Sequence, residues 1–360
     1  MQNGYLLFRF LFVFFLIAQL SSAQSSSNYS NDFLNIGVDA ASLGMSKAVV
    51  ASSADVNSTY WNPAGLTNVK DYQASLMHAS YFESITNYDF LGFAMPVDES
   101  SAFGFSIIRF GVDDILNTTT LIEDGGINYD NIDLFSTVDY AFNISYSRKI
   151  KELKGLSLGL NTKIIRRIIG DFANSWGFGF DVGLQYQRKG FLYGVIIRDV
   201  TTTFNTWSFN EAEFEKISDA ISGENNELPE NNEFTIPSVQ AGVAKSFELS
   251  KTIDLLAEAN LFMRFQQSND LISNSFVSID PALGLQADYK KIAFLRLGAG
   301  NFQRETESNG SKNLTFQPNF GVGFYHKGIQ VDYALTNIGR AGSALYSNVF
   351  SLKFDFSEWR

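Results

Sequence analysis

The sequence predicts an all-β fold: a closed antiparallel transmembrane β-barrel of about fourteen strands with an N-terminal hatch inside its lumen. Three observations predict it. Segments of about ten residues alternate apolar with small or polar side chains. Tight and longer connections between them take turns along the chain. Aromatic residues make up 15% of the 360 residues, 34 of them Phe, yet beyond the first twenty no apolar run is long enough for a membrane helix. A mean hydropathy of −0.04 fits an apolar signal spread over every second position.

Residues 1–23 read as a signal peptide. Met1 to Leu20 is apolar with Arg9 its only charge, and Ser21-Ser22-Ala23 follows. Small residues at Ser21 and Ala23 mark cleavage after Ala23. The apolar stretch is short for a span, and no Cys follows to carry a lipid anchor. The chain has no cysteine at all, so no disulfide framework supports it. Its net charge of −11 argues against nucleic acid as a partner. Residues 24–70 precede the first strand and read as the hatch; residues 71–360 read as the barrel.

The barrel pattern is plainest in "SWGFGFDVGLQYQ", 175–187. Trp176, Phe178, Phe180, Val182, Leu184 and Tyr186 share one face, and only small or polar residues share the other. Successive strand side chains point to opposite sides, so this strand separates two media. The pattern recurs at Tyr140–Tyr146, Pro281–Tyr289, Phe316–Phe324 and Phe350–Phe356. Strands are expected near 72–80, 86–96, 100–110, 136–150, 153–168, 174–189, 190–201, 235–247, 251–264, 277–289, 291–303, 313–327, 328–340 and 345–356. A water-soluble sandwich would explain alternation, but not the long–short parity or the aromatic load. If the apolar face meets lipid, Asp181, Asp254, Glu258 and Asp332 line the interior. On that facing Phe180→Arg is expected to be costly and Asp181→Asn far less so.

Two external loops are long, 111–135 and 202–234. The first carries Asp113, Asp114, Glu123, Asp124 and Asp130, but not at the spacing of an EF-hand, and reads as a solvated loop. In the second, Phe209, Phe214, Ile217 and Ile221 fall near helical spacing, with Gly223 placed to end a helix. An amphipathic helix over 211–222 is expected across the outer mouth, its apolar side chains being the external-loop binding candidates. Only His78 and His326 are present, far apart on predicted strands, so no metal site is expected. No nucleophile–base constellation and no phosphate loop occurs; neither a cofactor nor catalysis is expected.

The stretch "GVDAASLGMSKAVVASSADVNSTYWNPAGLTNV", 37–69, resembles the start of the long-chain fatty acid transporter (FadL-like) superfamily of outer-membrane barrels, and more closely the PorV/PorQ family. Ala40, Ala41, Leu43, Gly44 and Met45 match the family's first motif, where Ser46 and Lys47 replace the usual Gly-Gly. Ala54, Asp55 and the run Thr59, Tyr60, Trp61, Asn62, Pro63, Ala64, Gly65 and Leu66 match the second. The ending 331–356 resembles the family's last hairpin. The resemblance implies a fourteen-stranded outer-membrane barrel plugged by a hatch. For the PorV branch it implies type IX secretion components and the C-terminal domains of exported cargo as partners. For the fatty-acid branch it implies transport of a hydrophobic ligand through a lateral opening. Within the hatch motif, Pro63 biases Asn62 away from the helical region, Gly65 permits a tight reversal, Asn62 bonds nearby backbone, and Tyr60 and Trp61 wedge against the inner wall.

Overall fold

The computed structural model describes residues 30–81, 85–118, 121–123, 126–213, 230–306, 312–336 and 347–359. The expected signal peptide 1–23, residues 24–29, and Phe214, Ile217 and Ile221 with most of the expected helix 211–222 lie outside the described residues.

The wall is built from β1 (Gln73–Tyr81), β2 (Thr86–Asp98), β3 (Ser101–Asn117), β4 (Asp133–Lys149), β5 (Leu156–Ile169), β6 (Ala173–Arg188), β7 (Phe191–Arg198), β8 (Thr203–Phe209), β9 (Asn232–Thr235), β10 (Ser238–Ser250), β11 (Ile253–Arg264), β12 (Ser278–Tyr289), β13 (Ala293–Thr306), β14 (Lys312–His326), β15 (Ile329–Thr336) and β16 (Ser347–Asp355). Each pairs antiparallel with its sequence neighbour, except that β7 and β8 lie end to end against β6, and β10 and β9 end to end against them. The result is fourteen staves. The ring closes where β1 pairs with β16, from Gln73↔Asp355 to Ser80↔Asn348.

Alternation decides which way each side chain points. On β6, Trp176, Phe178 and Phe180 are exposed on the outside while Ser175 and Asp181 are buried. The same parity puts Leu283, Leu285, Phe316, Phe320, Phe350 and Leu352 outside. Aromatic pairs mark the end with tight turns: Tyr186 stacks on Tyr193 at 6.4 Å and Tyr72 on Phe93 at 6.1 Å. An outward apolar band with aromatic edges is what a hydrocarbon layer requires.

The expected strand positions hold, with two differences at the loop end. The connection expected over 202–234 begins and ends as strand, in β8 and β9. β3 likewise runs on to Asn117 and β4 starts at Asp133, so the loop expected over 111–135 narrows to 118–132. Within it Ile122–Glu123 pairs with Gly126–Ile127. Backbone pairing continues here after the apolar alternation has stopped: outside β8, Phe204 is followed by Thr206 and Ser208.

The chain's own residues 30–70 lie inside the ring. They form a 3₁₀ turn (Asp32–Asn35), α1 (Ala40–Gly44), α2 (Ser58–Trp61) and a second 3₁₀ run (Pro63–Asn68). Side chains set two of the starts. The Asp39 carboxylate caps α1 by accepting from Ser42 N at 3.2 Å. Asn62, extended at φ −164°, ends α2 and caps the next run by accepting from Ala64 N at 3.2 Å. Leu43, Tyr60 and Trp61 join one apolar cluster with Met77, Tyr81, Tyr88, Phe90 and Ile108 of the wall.

Phe180 is 47% exposed on the outer face. Phe180→Arg should therefore lower stability by roughly 2–4 kcal/mol when unfolding is measured in a bilayer. An effect equal to that of Phe180→Leu would overturn the outward assignment.

Candidate functional site

The wall meets the internal segment through glycines. A Cβ on Gly159 of β5 would fall on the Ala64 amide and Pro63, and one on Gly183 of β6 on the Asn62 side chain and Pro63. On Gly104 of β3 it would lie 2.6 Å from the Thr59 methyl and 3.0 Å from Leu66. Farther round, Gly194 faces Val50 and Gly298 faces Met45 and Ser46. These five inward glycines of the wall are thus the footprint of the segment. A sequence shows that they share a face, but not what sits on them.

The hatch-motif residues, Tyr60 to Gly65, are all buried. Asn62 is fully buried; its amide nitrogen donates to Val50 O at 2.9 Å and to Leu184 O of the wall at 3.1 Å. Gly65 is not at a reversal. It lies within the 3₁₀ run with no positive φ, and a Cβ there would strike Ser53 O, so space and not conformation demands glycine. Trp61 turns back on its own segment, donating from Nε1 to Val38 O at 3.2 Å beneath Gly37. Tyr60 meets Trp61 edge-on at 4.7 Å and donates its hydroxyl to Leu34 O. Ala64 is fully buried against the wall. Phe209, the one described external-loop candidate, ends β8 half-buried and stacks on Trp207 at 6.3 Å.

Beside Tyr60 the wall is broken. Between the pairs Val182↔Ile197 and Phe178↔Phe204, β6 runs straight through while the facing chain folds out at 199–202. Asp199 and Thr202 take φ of 56° and 60°, a region costly for residues other than Gly, Asn or Asp. An ionic cluster holds the fold-out. Lys163 Nζ lies 2.9 Å from Asp181 Oδ1 and also pairs with Asp199. Asp199 N donates to Asp181 Oδ1 at 2.9 Å, and Thr203 Oγ1 to Asp199 Oδ1 at 2.5 Å. Gly179 leaves the room these side chains fill. Arg198 reaches inward from the same place, donating to Tyr60 O at 3.0 Å with its guanidinium 4.7 Å from the Tyr60 ring centre.

Asp181 is therefore not a wetted lumen residue, which removes the ground for expecting Asp181→Asn to cost far less than Phe180→Arg. It is 1% exposed and shares a buried cation. Other interior carboxylates are also engaged. Glu258 accepts from Ala51 N at 2.8 Å and Ser52 N at 3.1 Å. Asp332 pairs with Arg296 at 2.6 Å, and Lys353 reaches Asp55 of the segment at 2.5 Å. His78 lies on the outer face with Nδ1 2.6 Å from Asp89 Oδ1, and His326 is exposed at the turn end of β14.

A cavity of about 530 Å³ opens between the segment and the loop end of the wall. Asp32, Lys47, Lys163, Arg198, Arg264, Asp270, Asp280 and several Asn and Gln side chains line it, interspersed with Leu34, Ile36, Phe262, Met263 and Phe265. Arg264 pairs with Asp270 at 2.5 Å. Ser46 and Lys47, which stand where the resembled family has Gly-Gly, take φ of 54° and 67°. Lys47 Nζ donates to Asn35 O at 2.8 Å, and burial, with Arg264 and Arg198 nearby, lowers its pKa to about 8. Lys47 and Arg198 thus bring charge to the cavity while bonded to neutral carbonyl oxygens. A smaller cavity of about 230 Å³ lies on the turn side, lined by Asp39, Asn57, Arg296 and Lys353 among others.

A family model described as type IX secretion system protein PorV matches residues 21–249. No curated protein matches. Among solved structures, the chain is similar to the CymD monoaromatic hydrocarbon channel (TM-score 0.55, 13% identity, covering 89% of this chain and 97% of that one). It is also similar to the P. putida toluene transporter TodX (0.55, 14%, 89% and 99%) and to a Pseudomonas aeruginosa FadL homologue (0.51, 12%, 89% and 98%). At these identities the likeness shows the fold.

Lys163→Met would strand Asp181 and Asp199 without their cation and should cost about 3–5 kcal/mol of stability in the same bilayer unfolding measurement. A cost below about 1 kcal/mol would mean that the cluster is hydrated like a surface pair.

Proposed function

The chain belongs to the PorV family of type IX secretion system proteins, and within that family we propose that it binds exported cargo, through its C-terminal signal domain, at the cell surface. The chain is an outer-membrane β-barrel associated with type IX secretion. In the proposed reading the signal peptide is removed after Ala23, the loop end faces outward, and residues 24–70 act as a hatch whose motif, Tyr60 to Gly65, anchors it to the wall. The barrel is then a receptor and not an enzyme.

The observation that carries the reading is the lining of the larger cavity. Burying a hydrocarbon there would strip solvent from Lys47 and Arg198, whose hydrogen-bond partners are neutral carbonyl oxygens, and from the Arg264–Asp270 pair, and desolvating charged groups is costly. A polar peptide segment supplies partners in place of that solvent. The alternative, transport of hydrophobic small molecules, draws on the fold shared with hydrocarbon channels. It needs an apolar path, and the apolar cluster inside this barrel is occupied by Phe33, Leu43, Tyr60 and Trp61 of the chain itself.

Two changes test the proposal. Replacing residues 211–229 by a short linker keeps β8 and β9 and should block cargo release while leaving small-molecule uptake unchanged. Lys47→Gly removes one of the cavity's cations and relieves a left-handed backbone, so the barrel should be no less stable. Binding of a purified signal domain, read by titration in detergent, should weaken about tenfold. Undiminished binding by both variants would overturn the reading, as would a mild-detergent purification that recovers a hydrocarbon and no secretion component.

A further inference from the structure

The two rims of the barrel carry opposite charge. At the turn end, the connections 99–100, 150–155, 189–190, 251–252, 290–292 and 327–328 hold seven lysines against two glutamates, a net of +5. At the other end, the connections 82–85, 118–132, 170–172, 210–231, 265–277, 307–311 and 337–346 hold fourteen carboxylates against Lys216 and Arg340, a net of −12. The chain as a whole is −11, so the basic rim runs against the overall balance.

The positions of the lysines are unusual in a second way. Lys189, Lys290, Lys291 and Lys327 sit at φ of 51°, 53°, 55° and 47°. Tight hairpin turns favour Asn, Asp or Gly at such angles, and a lysine there is disfavoured on backbone grounds. Turn geometry therefore does not explain why lysine stands at four of them. All four are exposed. Beside them the outer wall carries its aromatic edge. Lys290 Nζ lies 5.4 Å from the Tyr289 ring centre, and Lys245 Nζ 4.6 Å and 5.1 Å from those of Phe191 and Phe247. Aliphatic stems along aromatic rings, with ammonium groups at the rim, are the arrangement of side chains that reach from an apolar layer to its polar boundary.

Five of the six tight connections carry lysine; only 99–100 does not. A protein docked on one side would call for cations in one sector. Cations spread round the circumference fit a ligand that surrounds the barrel.

We propose that the turn rim binds the anionic headgroups of phospholipids in the leaflet it faces, one phosphate to each lysine-bearing turn. Each ammonium is a point charge with three donors, suited to phosphate oxygens. The acidic loop rim is repelled by the same headgroups, so the pair of rims holds the barrel one way up.

The test compares the full-length mature barrel with the variant Lys189→Asn, Lys290→Asn, Lys291→Asn and Lys327→Asn. Asparagine removes the charge and accepts the left-handed turn, so folding should be retained. Both proteins are placed in nanodiscs of phosphatidylethanolamine and phosphatidylglycerol, partly delipidated, and the retained lipids weighed by native mass spectrometry at low salt. The wild type should enrich phosphatidylglycerol about fivefold at a site held by one lysine, and the variant should lose most of that enrichment. The proposal is overturned if the wild type retains the two lipids in their nanodisc ratio, or if the variant enriches phosphatidylglycerol as strongly. It is also overturned if the lysines instead capture an acidic soluble protein with no lipid enrichment.

Discussion

Everything in this molecule follows from the rule that backbone polar groups in hydrocarbon must be paired within the protein. Strands can meet that rule only as a closed ring, and closure fixes both faces of every strand. The outer face must be apolar, hence the Phe and Leu parity of β6, β12 and β14. The inner face encloses a volume that its own side chains do not fill, because a ring of this many staves is too wide. The chain meets this second demand with its own first residues. Small wall residues are not economy of bulk here; they are the seat of Ala64, Asn62, Thr59 and Met45.

The wall was legible in the sequence because lipid imposes a period of two on it. β6 can be read directly from Trp176 to Tyr186. Legibility fails where lipid stops acting. Thr203–Phe209 is strand, but its outer face passes from Phe204 to Thr206 and Ser208, and β9 is only four residues long, so neither shows a contrast of media. The interior is less legible still. Asp181 looks like any lumen carboxylate until β5 brings Lys163 beside it and the fold-out brings Asp199. Gly65 looks like a turn glycine until Ser53 O is found above it. These are contacts between distant segments, and no local pattern encodes them. Ser46 and Lys47 were visible as departures from Gly-Gly, but their left-handed backbone was not.

The likeness to hydrocarbon channels separates fold from use. The same barrel can enclose an apolar path or a polar chamber, since lumen residues are free of the lipid constraint that fixes the outside. In this chain the apolar cluster of the interior is taken up by its own Phe33, Tyr60 and Trp61, and the open part sets charged and amide side chains among apolar ones. The fold-out at 199–202 links the two regions. Arg198 ties the wall to the Tyr60 carbonyl, next to Asp199, which Lys163 holds.

The closing seam has a consequence for how the chain reaches this state. Ser351 of the last stave donates to Asp39 at 3.0 Å and accepts from Ala40 N at 3.1 Å, and Lys353 beside it holds Asp55. Residues 312 positions apart are thus fastened to each other. Contacts so far apart in sequence form slowly, because the entropy of closing a long loop is spent before they return any energy. Until β16 arrives, the segment lacks part of its seat and the edge of β1 has no partner. The last part of the segment's seat is therefore completed only when the ring closes.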